Sequence, residues 1–182
     1  GQDFFGGYCF LNNAAVVAQM FLDQGAKKVA IIDTDFHHGN GTQDIFYERG
    51  DVLFASLHGQ PEDSYPYYSG YADETGKGDG AGCNFNFPMP PGTRYETWAQ
   101  ALEDAIFHIQ KFRAAALIVS LGVDTYKEDP ISFFGLETED YLQCGKHLSQ
   151  LNLPTVFVLE GGYALDMVGQ NVANVLLGFE GC

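Results

Sequence analysis

Asp33-Thr34-Asp35-Phe36-His37-His38-Gly39-Asn40-Gly41, entered from the apolar run Lys28-Val29-Ala30-Ile31-Ile32, is the stretch on which the fold turns. The run reads as a strand buried on both faces, as strands of parallel sheets are, and ligands of such sheets collect beyond the carboxyl ends of the strands. A turn that crowds carboxylates and imidazoles at that point is where an α/β enzyme would hold a metal. Alternation in an extended segment puts Asp35 and His37 on one side, so both side chains can converge on one ion. Taken alone, a solvated acidic turn accounts for the same residues, because Asp, Asn and Gly commonly end a strand and start a helix.

Outward from this turn the chain alternates helix and strand. Asn12 or Asn13 can cap a helix through Ala14 to Leu22, with Gly25 placed to end it. Thr42 to Tyr47 suggests a short helix, and Asp51 to Leu57 a second strand. From Gly59 to Gly92 the pattern collapses into a long structured loop rich in Gly, Pro, Tyr and Asp, of the kind that is often functional. Thr93 is a candidate cap for an amphipathic helix to about Phe112, with Trp98, Leu102, Ile106 and Ile109 on one face. Ala115 to Leu121 reads as a third strand, Thr138 to Leu151 as a helix opened by acids, Thr155 to Leu159 as a fourth strand, and Leu165 to Gly178 as a closing helix. The expectation is a three-layer α/β fold: one parallel sheet with helices on both faces.

At 182 residues and 46% hydrophobic, the chain can bury one ordinary core, a single domain spanning 1–182. No apolar run approaches the ~20 residues that span a bilayer, and Gly1 to Tyr8 lacks the basic start and apolar stretch of a signal peptide. Cys9, Cys83, Cys144 and Cys182 show no metal-binding spacing and are too few for a disulfide scaffold, so they are expected as thiols in a cytoplasmic compartment. Nine basic against 24 acidic residues give a formal charge of −15, which argues against nucleic acid and anionic membranes as partners. A cationic substrate would be attracted, although solubility alone is the commoner reason for such a charge.

Three of the four expected strands end in unusual turns: Asp33 to Gly41, Gly122-Val123-Asp124-Thr125-Tyr126 and Glu160-Gly161-Gly162-Tyr163. In a parallel sheet these share one rim, so Asp124 can join Asp35 and His37 as a third ligand. Three N/O ligands with an open position suit catalytic zinc, and an Asp, His, Asp set also accepts other divalent ions. Tyr163 could donate to a developing oxyanion. Of the remaining histidines, His58 ends a strand near the rim, and His108 and His147 read as ordinary helix residues. No Gly-x-Ser-x-Gly, Walker loop or strand-linked GxGxxG is present.

As a set, Gly6-Gly7-Tyr8-Cys9-Phe10-Leu11-Asn12-Asn13, Asp33-x-Asp35-x-His37-His38-Gly39-Asn40-Gly41, Leu121-Gly122-Val123-Asp124 and Glu160-Gly161-Gly162-Tyr163 resemble the histone deacetylase superfamily, and within it the bacterial acetylpolyamine amidohydrolases. The resemblance runs from about Gly6 to the C-terminus and implies the arginase/deacetylase fold. It implies Asp35, His37 and Asp124 as ligands of one zinc ion, Tyr163 as the electrophilic tyrosine, and Gly7, Tyr8 and Tyr65 along the acyl tunnel. It also implies a monovalent cation, K+, held around Asp33, Asp35, His37, Ser56 and Leu57, and a second around Phe46, Arg49 and Val52. The implied reaction is hydrolysis of an acetylated amine, either a small cationic acetylpolyamine or acetyl-lysine in a protein. The superfamily's proton-transferring His-His pair belongs to a Pro-Gly-His-His motif ahead of the Gly6 segment. This chain starts without it and reads as an N-terminally truncated fragment, expected to bind zinc with little activity of its own. Its sheet, incomplete at the N-terminal side, would leave an open edge that favours self-association, as in a homo-oligomer, or insolubility. Two other classes stay open: a non-catalytic metal-binding module, and a two-manganese hydrolase of the arginase type.

Overall fold

The computed structural model describes Gly1 and residues 4–181. Among these residues five strands form one sheet in the order β3-β2-β1-β4-β5, with β1 Val29–Asp33, β2 Val52–Gly59, β3 Asn84–Met89, β4 Leu117–Leu121 and β5 Thr155–Leu159. Every pairing is parallel. The helices are α1 Asn13–Asp23, α2 Asn40–Phe46, α3 Tyr95–Phe112, α4 Thr138–Ser149 and α5 Leu165–Glu180.

The alternation of side chains along the central strands builds two cores. Val29, Ile31, Val52, Phe54, Ala116 and Ile118 pack with Ala14, Ala15, Ala18 and Phe46 of α1 and α2 on one face. Ala30, Ile32, Leu53, Ala55, Leu57, Leu117, Val119 and Leu121 meet Trp98, Leu102, Ile109, Tyr141, Leu148 and Val175 of α3, α4 and α5 on the other. This is the expected three-layer arrangement, and the Val/Ile/Leu runs cause it: strands apolar on both sides must be covered on both sides. Asn12 is the cap of α1, its Oδ1 accepting from Ala15 N at 2.8 Å. Among the described residues, no helix is long and apolar enough to cross a membrane. Cys9, Cys83 and Cys144 are free thiols, and Cys182 lies outside the described residues.

Two expectations are corrected. The stretch read as one loop from Gly59 to Gly92 contains β3, which pairs with β2 from Phe54↔Asn84 to Gly59↔Met89. Its Asn-Phe-Asn-Phe alternation is a genuine period of two, with Phe85 and Phe87 packed toward α3 while Asn84 and Asn86 turn to a polar cluster. Pro88 is tolerated because β3 is an edge strand. Thr93 is not the cap of α3: its hydroxyl donates to Pro90 O at 2.7 Å, and Arg94 takes the cap position without a side-chain bond.

The opposite edge, β5, is half-buried along its length, and Leu159 at its end is 57% exposed. The fold is thus open on that side.

Candidate metal centre

In this strand order β2 and β3 lie on one side of β1, and β4 and β5 on the other. The chain therefore changes direction between β1 and β4, the crevice where open α/β sheets bind ligands. The turns after β1, β4 and β5 meet there.

Asp35 and His37 lie just beyond β1, in bends rather than extended strand. The alternation expected of them survives nonetheless. Phe36 and His38 point inward and are buried, while Asp35 and His37 are only partly covered. The turn is wound by its own carboxylates: Asp33 Oδ1 accepts from Asp35 N at 3.1 Å, and Asp35 Oδ1 from His37 N at 2.8 Å. Across the crevice, Asp124 Oδ1 accepts from Phe36 N at 2.8 Å, fixing the carboxylate that follows β4 against the turn that follows β1. His37 Nδ1 then lies 3.2 Å from Asp35 Oδ1 and 3.1 Å from Asp124 Oδ2. One ligand atom from each of these three residues falls within 4.8 Å of the others, a set that could hold a metal ion.

Glycines make room for this convergence. A Cβ at Gly161 would fall 2.5 Å from Asp35 Oδ2 and 2.7 Å from Asp124 Oδ2, and one at Gly122 only 2.6 Å from Asp35 Oδ2. Gly161 N donates to Asp35 Oδ2 at 2.8 Å, so the third turn is tied to the first by a bond that a side chain would obstruct.

The electrostatics suit a cation. Among the described residues, His37 is the one basic group within ion-pair distance of Asp35 or Asp124. Burial disfavours the imidazolium, but hydrogen bonds to Asp124 and Asp35 outweigh it and hold His37 up at about 10. Burial, then the Asp35 charge, push Asp124 up to about 7, with His37 offsetting part of the rise. Asp35, also opposed by burial, is kept below the usual carboxylate range by its bonds from His37 and Gly161. Asp33 is driven well above that range by burial and then by the Asp35 and Glu160 charges. Glu160 is raised too, mainly by burial, and its Oε1 accepts from Ser120 Oγ at 3.0 Å. A fully buried carboxyl, two more beside it and a single imidazole form a donor set that is short of positive charge.

The aromatic rim also assembles. The Tyr163 ring lies 6.2 Å from that of Tyr8, edge to face, and the Tyr65 ring 6.5 Å from that of His37. Gly7 packs on Tyr65, where an added Cβ would sit 3.7 Å from Cε1. Tyr8 holds a left-handed backbone at φ 61°, unusual for a bulky residue and common where a functional loop is strained. Burial first, then Asp35 and Asp124, push the Tyr163 phenol up to about 12, so it stays protonated at neutral pH.

The other expected residues fall into two places. Asp33 is the register partner of Ser56, beside Leu57, below the metal pocket. Phe46, Arg49 and Val52 lie along the turn from α2 into β2, where Arg49 N donates to Phe46 O at 2.9 Å and the Arg49 guanidinium sits over the Phe46 ring.

Reading by sequence missed a buried polar cluster beside the pocket. His58, expected only near the rim, is fully buried, bonded to Ser56 Oγ at 2.8 Å and Gly70 O at 2.9 Å. His38 contacts Gln43 Oε1 at 3.1 Å, and Glu74 accepts from Gln43 Nε2, Gly70 N and Asn86 Nδ2. Gln43 lies in α2, Glu74 in the loop before β3 and Asn86 in β3, so no local spacing announced them. His108 and His147 are half-buried helix residues, as expected.

The comparisons with known proteins agree with this fold. The histone deacetylase domain matches residues 2–179. Acetylpolyamine amidohydrolase 1 of Pseudomonas aeruginosa is 60% identical over 181 residues, covering 100% of this chain and 52% of that protein. The acetylpolyamine amidohydrolase of Mycoplana ramosa is 59% identical, covering 100% and 53%. In crystal structures, the acetylpolyamine aminohydrolase of Burkholderia pseudomallei superposes with a TM-score of 0.93 at 43% identity, over 96% of this chain and 51% of that one. An HDAC homologue from Aquifex aeolicus gives 0.91 at 30% identity, over 97% and 48%. The chain spans about half the length of the curated relatives it matches. With the fold, the three converging turns and the domain match in agreement, the chain belongs to the histone deacetylase domain family.

Proposed function

We propose that this chain carries the metal centre of an amidohydrolase that removes acetyl groups from small cationic acetylated amines, acetylpolyamines in the first place. The observation that carries this reading is the approach of ligand atoms from Asp35, His37 and Asp124 to within 4.8 Å at the crevice between β1 and β4, with Tyr163 two residues beyond the Gly161 amide that bonds Asp35. The amine class is supported by the names of the P. aeruginosa and M. ramosa relatives and by the charge of −15.

Asp35, His37 and Asp124 would hold one zinc ion, and when bound it supplies Lewis acidity toward an amide carbonyl and toward water. Every other contribution comes from the chain. The Tyr163 hydroxyl, kept protonated, donates toward the oxygen on which negative charge develops. Tyr8 and Tyr65, whose rings stand near those of Tyr163 and His37, would flank the approach and offer flat apolar walls to an acyl chain. Proton transfer falls to none of the described histidines other than the ligand His37, because His38 and His58 are locked in the buried cluster, His108 stacks on Phe85 and His147 faces Glu103. These 182 residues alone should therefore bind zinc yet release little acetate. A monovalent cation, K+, would sit beside buried Asp33 with Ser56 and Leu57, and a second at the turn of Phe46, Arg49 and Val52; exchanging K+ for a bulky organic cation should then lower the melting temperature.

The test is metal analysis joined to turnover. About one zinc per chain and faster release of acetate from acetylputrescine than from an acetyl-lysine peptide, by a complete protein carrying this chain, are the expected results. Two manganese ions per chain, or no metal at all, would overturn the reading. Preference for the peptide would move the substrate to acetylated protein.

A further inference from the structure

Tyr163 is reached from β5 through two glycines, Gly161 and Gly162, the least conformationally restrained pair a chain can offer. A phenol that must meet a developing charge needs a fixed position, so something has to take up that freedom. Gly161 is held on both sides of its Cα: its N–H donates to Asp35 Oδ2 at 2.8 Å and its O accepts from Val123 N at 2.7 Å. Beyond Gly162 the restraint passes to one side chain. Asp129 Oδ2 accepts from Tyr163 N at 2.7 Å and from Ala164 N at 3.3 Å, while Asp129 Oδ1 accepts from Ile131 N at 3.1 Å.

Asp129 is 6% exposed, so these bonds form largely out of competition with water. It stands five positions after Asp124, in a segment closed on itself by Asp129 N to Tyr126 O at 2.9 Å and Lys127 N to Leu136 O at 3.0 Å. One end of that segment therefore carries a residue of the metal pocket and the other grips the backbone of the tyrosine. Ala164, the cap residue of α5, has no side chain able to bond the free N–H groups of the first turn, and Asp129 instead holds the N–H groups of Ala164 itself and of Tyr163 just ahead of the helix.

We propose that Asp129 is a positioning residue for Tyr163: its carboxylate fixes the main chain at Tyr163 and Ala164 so that the phenol stands over the Asp35, His37 and Asp124 pocket. The catalytic half of this inference rests on the reading under Proposed function. The positioning half concerns only this chain's geometry. A purely structural capping of α5 would use the same hydrogen bonds, and two measurements separate it from positioning.

The substitution is Asp129→Asn, isosteric but placing a neutral and partly donating group against two N–H donors, in the complete metal-loaded protein. Hydrogen exchange at the Tyr163 and Ala164 amides should accelerate about tenfold, a factor within the worth of one charge-assisted hydrogen bond. Exchange at Val175 and Leu176, farther along α5, should stay within twofold. On acetylputrescine, kcat should fall about tenfold with KM within twofold. In a Tyr163→Phe background the same substitution should cost less than twofold, because the group it positions is gone. Unchanged exchange at Tyr163, faster exchange along all of α5, a loss carried by KM, or an equal loss in both backgrounds would each overturn the assignment. A parent protein with no turnover on acetylated amines would overturn the functional reading instead, and the exchange measurement would still decide whether Asp129 holds Tyr163.

Discussion

Replacing Gly161 by alanine puts a methyl group into the centre of the pocket. The new Cβ would lie 2.5 Å from Asp35 Oδ2 and 2.7 Å from Asp124 Oδ2, about an ångström inside van der Waals contact. Neither carboxylate can swing away freely, because Asp35 Oδ1 holds His37 N and Asp124 Oδ1 holds Phe36 N, both at 2.8 Å. Relief comes by rotating one carboxylate out of the ligand set or by backing the Gly161 turn away, which breaks its bond to Asp35. Either movement spoils metal binding more than it spoils the fold. Overpacking of this kind typically costs about 1–3 kcal/mol of stability. Disturbing the groups that orient metal ligands costs up to about 100-fold in affinity, which corresponds to about 2.8 kcal/mol at 1.4 kcal/mol per decade. Zinc affinity of parent and Gly161→Ala is measured by competition with a chromophoric chelator, with circular dichroism and thermal melting as controls on the fold. Zinc binding within threefold of the parent would refute the reasoning, since it would mean that Asp35 and Asp124 do not share a pocket bounded by Gly161.

Three further outcomes are expected. Tyr163→Phe should lose about 100-fold or more of the acetate release of a complete protein while metal content, read by atomic absorption, stays at the parent level. Gly145→Ala should lower the denaturation midpoint sharply, because its Cβ would strike Val175 O and lie 2.7 Å from Phe179 N in the α5 backbone; Gly169→Ala, with nothing within 4 Å, should raise stability by about 0.5–1 kcal/mol through helix propensity. His58 is held neutral, pushed down to about 3 chiefly by burial, so below pH 6.5 the unfolded chain takes up a proton that the folded one refuses, and stability falls with acidification. Between pH 6.5 and 5, urea titrations should show the parent losing about 1.6 kcal/mol more than His58→Gln, and equal losses would remove His58 as the cause.

Much of this architecture is legible along the chain because its causes are local. Val29 to Ile32 are apolar at every position and Leu117 to Leu121 at all but Ser120, and a strand covered on both faces uses such a run. Asp35 and His37 are two apart and Asp124 follows its strand closely, so the meeting of these three side chains could be expected before any contact was known. β3 was hidden for an equally physical reason. Asn84 and Asn86, buried on the face opposite Phe85 and Phe87, are polar because they serve the cluster around Gln43 and Glu74 rather than an apolar core, and the hydrophobic pattern was half erased. Asp129 was hidden because its partners are main-chain N–H groups 34 and 35 residues away, which carry no side-chain signature. Thr93 misled because its hydroxyl found Pro90 O nearer than the helix N-terminus.

The pocket's hydrogen bonds bear on why the metal reading is favoured over an acidic turn that merely folds. Asp35 and Asp124 would repel each other if both were ionised, and a chain using them only to wind a turn could let one reach solvent. Instead Asp124 is fully buried, and the N–H groups of Phe36, His37 and Gly161 hold the two carboxylates in place from the protein side. Those donors account for Asp124 Oδ1 and Asp35 Oδ2 and part of Asp35 Oδ1, leaving the remaining lone pairs aimed inward, where His37 Nδ1 is their common neighbour. Three backbone dipoles and one imidazole lower the cost of gathering two charges without removing it. A geometry maintained at that cost is expected where a divalent cation supplies the balance. Zinc should accordingly raise the melting temperature of the parent, and raise it much less once the methyl of Gly161→Ala has displaced the ligand oxygens.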